Sequence, residues 1–286
     1  MKIKQKKFSS SKGWECLNNN SFDAGSCNMV FAFGSTSAFE DPAIYEHIRK
    51  NYPNADILMN STAGEIYDIQ VNDDTISLTA ICFEKTAIKT AIVNIDNVEN
   101  SREAGKKLAA GLDPVDMKSV LIISDGQKVN GTELVQGLKD CLPAETIITG
   151  GLAGDGARFK KTLVGLNETP IEGRIVAIGF YGDNLSVGYG SVGGWDSFGP
   201  ERLITRSKDN ILYELDSKPA LNMYKMYLGE YADELPGSGL LFPLSIRAAD
   251  SAESVVRTIL GIDEEEKSLI FAGNMPEGSG VRQFSS

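Results

Sequence analysis

The chain has 286 residues, 42% of them hydrophobic and 23% charged, with a formal net charge of −11 and a pI near 4.7. Apolar content of that order over this length fills one large or two ordinary cores, which excludes a disordered chain. The acidic balance opposes wrapping a phosphate backbone, which needs lysine and arginine to displace counterions, so neither nucleic acid nor an anionic membrane is an expected partner.

In chain order, Lys2 to Phe8 reads as an edge strand in a polar start, and Met29 to Phe33 as a short buried strand. Asp41-Pro42 supplies an N-cap and a first-turn proline for a helix running to Asn51, with Ile44 and Ile48 on one face. Ala55 to Met59 is the next strand and delivers the turn Ser61-Thr62-Ala63-Gly64-Glu65. Thr75 to Phe83 and Thr86 to Ile95 read as a hairpin around Glu84-Lys85. Ser101 to Ala110 is a connecting helix, Val120 to Ile123 a strand, and Ser124-Asp125-Gly126 the turn after it. Thr132 to Leu142 is a helix that buries Leu134, Val135 and Leu138. Thr146 to Thr149 is a strand leading into Gly150 to Gly156, and Arg174 to Tyr181 with Asn184 to Val192 reads as a second hairpin. Beyond about residue 205 come a strand at Asn210 to Leu215 and a helix opened by Pro219 and stopped near Gly229. Further strands follow at Leu240 to Ile246, Ser254 to Leu260 and Ser268 to Ala272.

A repeat organises these elements. Ala63-Gly64-Glu65 returns as Ala153-Gly154-Asp155 ninety residues later, and Val30 to Phe33 returns as Val120 to Ile123 at the same offset. Ile81-Cys82-Phe83 matches Ile178-Gly179-Phe180 at an offset of 97, which requires a seven-residue insertion. Two copies point to a duplicated half-domain rather than a solenoid. The expected fold is α/β, with duplicated strand-helix-strand-hairpin units forming mixed sheets and a smaller, partial α/β domain behind them. The expected domains are 1–205, with repeats at about 28–97 and 118–195, and 206–286.

The two Ala-Gly-acidic turns carry the candidate site. Gly150, Gly151, Gly154 and Gly156 fall within seven residues, where backbone must approach something closely or take positive φ; the alternatives are tight packing between halves and exposed N–H groups facing a ligand. The segment is not a P-loop, since no Lys-Ser/Thr follows in frame. The G-x-G-x-x-G at Gly188, Gly190 and Gly193 runs into Gly194-Trp195 and Gly199-Pro200, where no helix opens to meet a pyrophosphate. Glu65 and Asp155 are either an acid–base pair or caps of their own turns, and Asp125 lies on the same sheet edge. Arg158 and Trp195 are candidate ligand contacts on neighbouring loops. His47, the only histidine, reads as a solvated helix residue, and Cys16, Cys27, Cys82 and Cys141 read as reduced thiols; neither set suggests a metal site or a triad.

Asn60-Ser61-Thr62-Ala63-Gly64-Glu65-Ile66 resembles the Ser-Thr-Ala-Gly-Glu-Ile signature of the FIST domain. Ser124-Asp125-Gly126, Gly150 to Gly156, Gly194-Trp195, Glu214-Leu215-Asp216 and Pro219-Ala220-Leu221 fit that family in the same order, over roughly residues 28 to 282. The resemblance implies a sensory input domain of bacterial and archaeal signal transduction, binding small ligands such as amino acids. It also implies a separate effector such as a kinase, chemoreceptor or cyclase. Family members usually continue well past a segment like Gly273 to Arg282, so the end at Ser286 implies a partial C-terminal domain. Some members bind haem through a histidine; with His47 alone, no cofactor is expected.

Together these readings predict a cytoplasmic, non-enzymatic sensor. Ser61, Thr62, Ala63, Gly64 and Glu65 on one side, with Asp125, Gly150, Gly151, Ala153, Gly154, Asp155 and Arg158 on the other, would line a ligand pocket between the halves. Backbone donors would hold a carboxylate, and Glu65, Asp125 or Asp155 an amine. An enzyme using the carboxylate pair, and an interaction scaffold that recruits a partner strand or a second copy of the chain, are the alternatives.

Overall fold

The computed structural model describes residues 1–17, 22–190, 196–247 and 254–285. The chain divides into two compact units, one of Met1–Val129, Leu134–Gly156 and Lys160–Tyr189, the other of Asn130–Glu133, Ala157–Phe159 and Gly190–Ser286.

In the first unit, β1 (Lys2–Ser9), β2 (Gly13–Cys16) and β3 (Met29–Gly34) lead into a short helix α1 (Thr36–Phe39) and then α2 (Pro42–Asn51). The Asp41 side chain caps α2 by accepting from the Ala43 amide, as the Asp-Pro pair predicts. β4 (Asp56–Ser61) runs parallel to β3, and β5 (Glu65–Tyr67) with β6 (Gln70–Asn72) forms a small hairpin after the first turn. β7 (Thr75–Cys82) and β8 (Ala87–Asn94) follow. Then come α3 (Ser101–Ala110), β9 (Met117–Ser124), α4 (Gly131–Lys139), β10 (Ile147–Leu152), β11 (Val164–Leu166) and β12 (Arg174–Tyr181).

Two mixed sheets result, ordered β11-β4-β3-β7-β1-β2 and β10-β9-β12-β8. Both contain a parallel pair, β4-β3 or β10-β9, flanked by an antiparallel strand, β7 or β12, and then by another, β1 or β8. Three expectations change here. β7 and β8 are not a hairpin: β7 pairs with β1 and β3, while β8 crosses to the second sheet and pairs with β12. No hairpin follows β12 either, whose two sides are taken by β8 and β9, although residues 191 and 192 of the expected second arm lie outside the described residues. The strand β1 is paired on both sides and is not an edge. The ladders pair Met29 with Ile81 and Ser119 with Phe180, so the expected offset of 97 on the third strand is not the one the pairings carry.

Alternation along the strands explains the layers. Val30, Ala32, Ile57, Met59, Ile76 and Leu78 pack with Ile44 and Ile48 of α2. Val120, Ile122, Ile175 and Ala177 pack with Ala104 and Leu108 of α3 and Leu134 and Leu138 of α4. The opposite faces meet each other, Met29, Leu58 and Ile81 against Ile123, Val176 and Ile178. The layer order is thus helix, sheet, sheet, helix. Strands apolar on both faces lose their alternation, which is why β9 and β12 read as continuous apolar runs.

The second unit comprises β13 (Asp196–Lys208), β14 (Ile211–Leu215), β15 (Lys218–Pro219), α5 (Ala220–Leu228), β16 (Leu244–Arg247), β17 (Ser254–Arg257), β18 (Ile259–Asp263), β19 (Ser268–Phe271) and β20 (Gly280–Ser285). Its sheet is ordered β17-β16-β20-β13-β14-β19-β18, with β15 on β14. Leu221, Tyr224 and Leu228 of α5 pack on Leu212, Leu244, Leu269 and Phe271. The expected strand from 254 to 260 is two strands, and β20, which sits between β16 and β13, was not anticipated.

Candidate functional site

The two Ala-Gly-acidic turns meet. The Ser61 carbonyl, at the end of β4, accepts from the Gly154 amide at 3.0 Å, and a Cβ placed on Gly154 would lie 3.1 Å from the Ala63 nitrogen. Each turn is also tied to its neighbouring parallel strand: Thr62 N–H donates to the Gly34 carbonyl at 2.9 Å, and Ala153 N–H to the Ser124 carbonyl at 2.8 Å. Ser61 adds a third tie, its Oγ accepting from the Leu163 amide at 2.9 Å.

The three carboxylates are 3% exposed or less. Glu65 Oε2 accepts from the Thr75 amide at 3.0 Å and the Thr75 hydroxyl at 2.9 Å, and Oε1 accepts from Thr62 Oγ1 at 2.8 Å. Asp125 Oδ1 accepts from the amides of Gln127 and Lys128 at 2.8 and 2.9 Å, and Oδ2 from that of Gly173 at 2.9 Å. Asp155 Oδ2 accepts from the amides of Lys160 and Lys161 at 2.7 and 3.0 Å. A buried charge requires such donors, and here mostly backbone supplies them, so each carboxylate closes a loop. These bonds agree with the capping alternative for Glu65 and Asp155, and Asp125 is held in the same manner; the partner residues Thr75, Gly173 and Lys160 carry no motif by which sequence could have announced them.

Close packing accounts for part of the glycine count. Gly150 has φ +152°, and a Cβ there would stand 1.8 Å from the Ile122 carbonyl oxygen, so no other residue fits. Gly151 differs: it is exposed, and a Cβ would meet nothing within 4 Å. It lies on β10, the edge strand of its sheet. Ala63 is also exposed, whereas Ala153 is buried. Beside Ala63, the β5–β6 hairpin holds Ile66, Ile69 and Val71 in solvent, Ile69 at 92% exposure. The space between the two sheets is filled with side chains from both, so it is a core and not a hollow.

Arg158 is exposed and groups with the second unit rather than with the turns. Trp195 lies outside the described residues. His47 is exposed and stacks on Trp14 at 5.3 Å; burial and then the charges of Lys6 and Lys50 hold its pKa below the ordinary histidine value. The four cysteines are free, Cys16 and Cys141 exposed and Cys27 and Cys82 buried. Among the described residues, no three His, Cys, Asp or Glu side chains are grouped to hold a metal ion, and no helix is long and apolar enough to cross a membrane.

Mixed sheets joined through Ala-Gly-acidic turns, followed by a smaller α/β unit, define the class: a two-part α/β protein whose signature loops lock one sheet to the other. The chain belongs to the FIST family, matching the FIST N domain over residues 28–218 and the FIST C domain over 220–284. The first match runs through β13 and β14 of the second compact unit. No curated protein sequence matches the chain significantly. FIST domains are generally linked to sensing in signal transduction.

Proposed function

We propose that this protein is a cytoplasmic, non-enzymatic sensor that binds a small amino-acid-like molecule on the surface where the two turns meet. The observation that carries this reading is the juxtaposition of the Gly154–Ser61 hydrogen bond with open backbone at Ala63 and Gly151. A ligand carboxylate there is received by backbone N–H groups of the exposed glycine edge. Its ammonium group is left to backbone carbonyls, because Glu65, Asp125 and Asp155 are already engaged in their own loops. The same engagement argues against catalysis by a Glu65/Asp155 pair. No haem or metal enters this reading. We further propose that the two sheets descend from one duplicated unit, on the strength of their shared strand order.

The test is a thermal-shift screen of the full chain against amino acids, with nucleotides and haem in parallel, because a ligand that binds the native state raises its midpoint. Gly151→Val and Ala63→Leu add bulk at exposed positions and should abolish the amino-acid shift while leaving the unliganded midpoint near that of the parent. A shift of the same size in both variants would remove the site from consideration. A second reading rests on the exposed Ile66, Ile69 and Val71: the hairpin recruits a separate effector, such as a kinase, chemoreceptor or cyclase, or a second copy of the chain.

A further inference from the structure

The β10 sheet is open along an edge where the β4 sheet is closed. On the outer side of β4 lies β11, antiparallel, with Val164 opposite Asn60 and Leu166 opposite Leu58. Ser61 N–H donates to the Leu163 carbonyl at 2.8 Å and Asn167 N–H to the Ile57 carbonyl at 2.9 Å, so Ile57 and Ser61 bracket that ladder. β10 holds the matching place in its own sheet, parallel to β9 as β4 is parallel to β3. Among the described residues, no strand lies on its other side.

The phase of the strand says which backbone groups face out. Successive residues turn their N–H and C=O groups alternately to one neighbour and to the other. Ala153 N–H donates to the Ser124 carbonyl of β9, which sets Thr149 and Gly151 the same way and turns Ile148, Gly150 and Leu152 outward. Gly154, next in the outward set, fits this phase by donating to Ser61. Gly150 and Gly151 are exposed. Along Ile147–Leu152 there is no charge, no proline and no shift of register, the devices by which proteins keep an edge from pairing. By contrast β8, the opposite edge of the same sheet, carries Lys89.

We propose that the β10 edge takes an extended segment of another protein as an added antiparallel strand, apolar where it pairs and cationic ahead of the pairing. This rests on the reading above for the openness of the edge and names a peptide as its occupant. Ile148, Gly150 and Leu152 exchange backbone hydrogen bonds with alternate residues of the segment, which supplies affinity with little demand on sequence. Large apolar side chains opposite Gly150 and Gly151 cover backbone that the glycines leave bare. The antiparallel direction carries the N-terminal part of the segment past Leu152 to Gly154, where a Cβ would lie 3.1 Å from the Ala63 nitrogen. The strip goes on from there: a Cβ on Gly64 would lie 3.2 Å from Val71 Cγ1 and 3.8 Å from Asp73 Oδ1. Asp73 and Asp74 are exposed and, among the described residues, form no ion pair. These carboxylates, with the net charge of −11, attract a cationic segment and repel a second copy of the chain.

β11 supplies the probe, a labelled peptide with the sequence of residues 160–168, in which Lys160 and Lys161 precede the strand. Gly165 faces Met59, two residues before the end of β4 as Gly150 is before the end of β10, so Gly165→Phe in the peptide sets a ring over Gly150. The full chain should bind this peptide in a fluorescence-anisotropy titration. N-methylation of the peptide amides at Leu163, Gly165 and Asn167, the set that faces β4 in its own ladder, should weaken binding by at least about tenfold; methylation at Val164 and Leu166 should change it by less than about threefold. Leu152→Pro in the protein removes an outward N–H while keeping the β9 ladder, and should match the first methylated peptide. The methylated pair needs the parent chain alone, so the result stands whether or not that variant folds. Asp73→Asn with Asp74→Asn should lower affinity at low salt and leave it unchanged at high salt. The proposal is overturned if the peptide does not bind at millimolar concentration, if both methylation sets weaken it equally, or if the parent is a dimer that Leu152→Pro dissociates, which gives the edge to a second copy. Peptide binding without an amino-acid thermal shift upholds the proposal and removes the free amino acid from this edge; a shift without peptide binding does the reverse.

Discussion

Replacing Glu65 separates a structural carboxylate from a ligand-binding one. Its two oxygens take three hydrogen bonds, and one of the donors, the Thr75 amide, cannot rotate away or reverse its polarity. In Glu65→Gln the new amide can keep its oxygen on Thr75 and turn its NH2 toward Thr62, whose hydroxyl rotates to accept. The fold then exchanges charge-assisted bonds for neutral ones, a loss of about 1 kcal/mol. Glu65→Leu has no such escape. It strands a buried N–H and two hydroxyls, and with one unsatisfied buried group costing roughly 1–3 kcal/mol, a net loss of about 3 kcal/mol is expected once relief of the buried charge is counted. For a unit of this size that lowers the thermal midpoint by roughly 6–12 °C. Urea denaturation of parent, Gln and Leu variants should show the midpoint falling in that order at similar slope. A Leu variant as stable as the parent would refute the loop-closing role and return Glu65 to the list of groups held ready for a ligand.

Helices α3 and α4 cross at Gly105 and Gly137, where a Cβ on Gly137 would stand 2.0 Å from the Arg102 carbonyl oxygen. Gly137→Ala gains about 1 kcal/mol of helix propensity but incurs overpacking of about 3 kcal/mol, so a net loss of about 2 kcal/mol should appear in urea titrations; a stabilised variant would contradict the crossing. Cys16 and Cys141 are exposed, whereas Cys27 and Cys82 are buried and burial raises the Cys27 pKa. Ellman's reagent should therefore titrate two thiols quickly in the native protein and four in denaturant; four fast thiols would place Cys27 and Cys82 at the surface. Burial, followed by the charges of Cys27 and Cys16, pushes the Tyr52 phenol up to about 12 from 10.0. The folded state thus holds that proton more tightly than the unfolded chain does, so its contribution is complete below pH 10 and is lost as pH rises towards 12. Tyr52→Phe should flatten the stability profile across that window, and an unchanged slope would show that Tyr52 does not titrate there.

The sequence by itself determined the local elements and the faces they bury. Asp41-Pro42 set the start of α2, and alternation in Val30 to Phe33 divided side chains between helix and opposing sheet. The Ala-Gly-acidic spacing marked two turns that do meet. Partner choice was beyond its reach, because period-2 patterning says which face a strand buries and not which strand lies beside it. β7 and β8 alternate on either side of a plausible turn, yet their ladders belong to different sheets, since β8 completes the edge of β12. The fate of the acidic groups was likewise a tertiary matter. Glu65, Asp125 and Asp155 look alike as ligand groups or as caps until amides from Thr75, Gly173 and Lys160 are brought to them. Gln283 gave still less notice: one polar residue in an apolar strand is unremarkable until β16, β13 and α5 enclose it and leave its amide, among the described residues, without a partner.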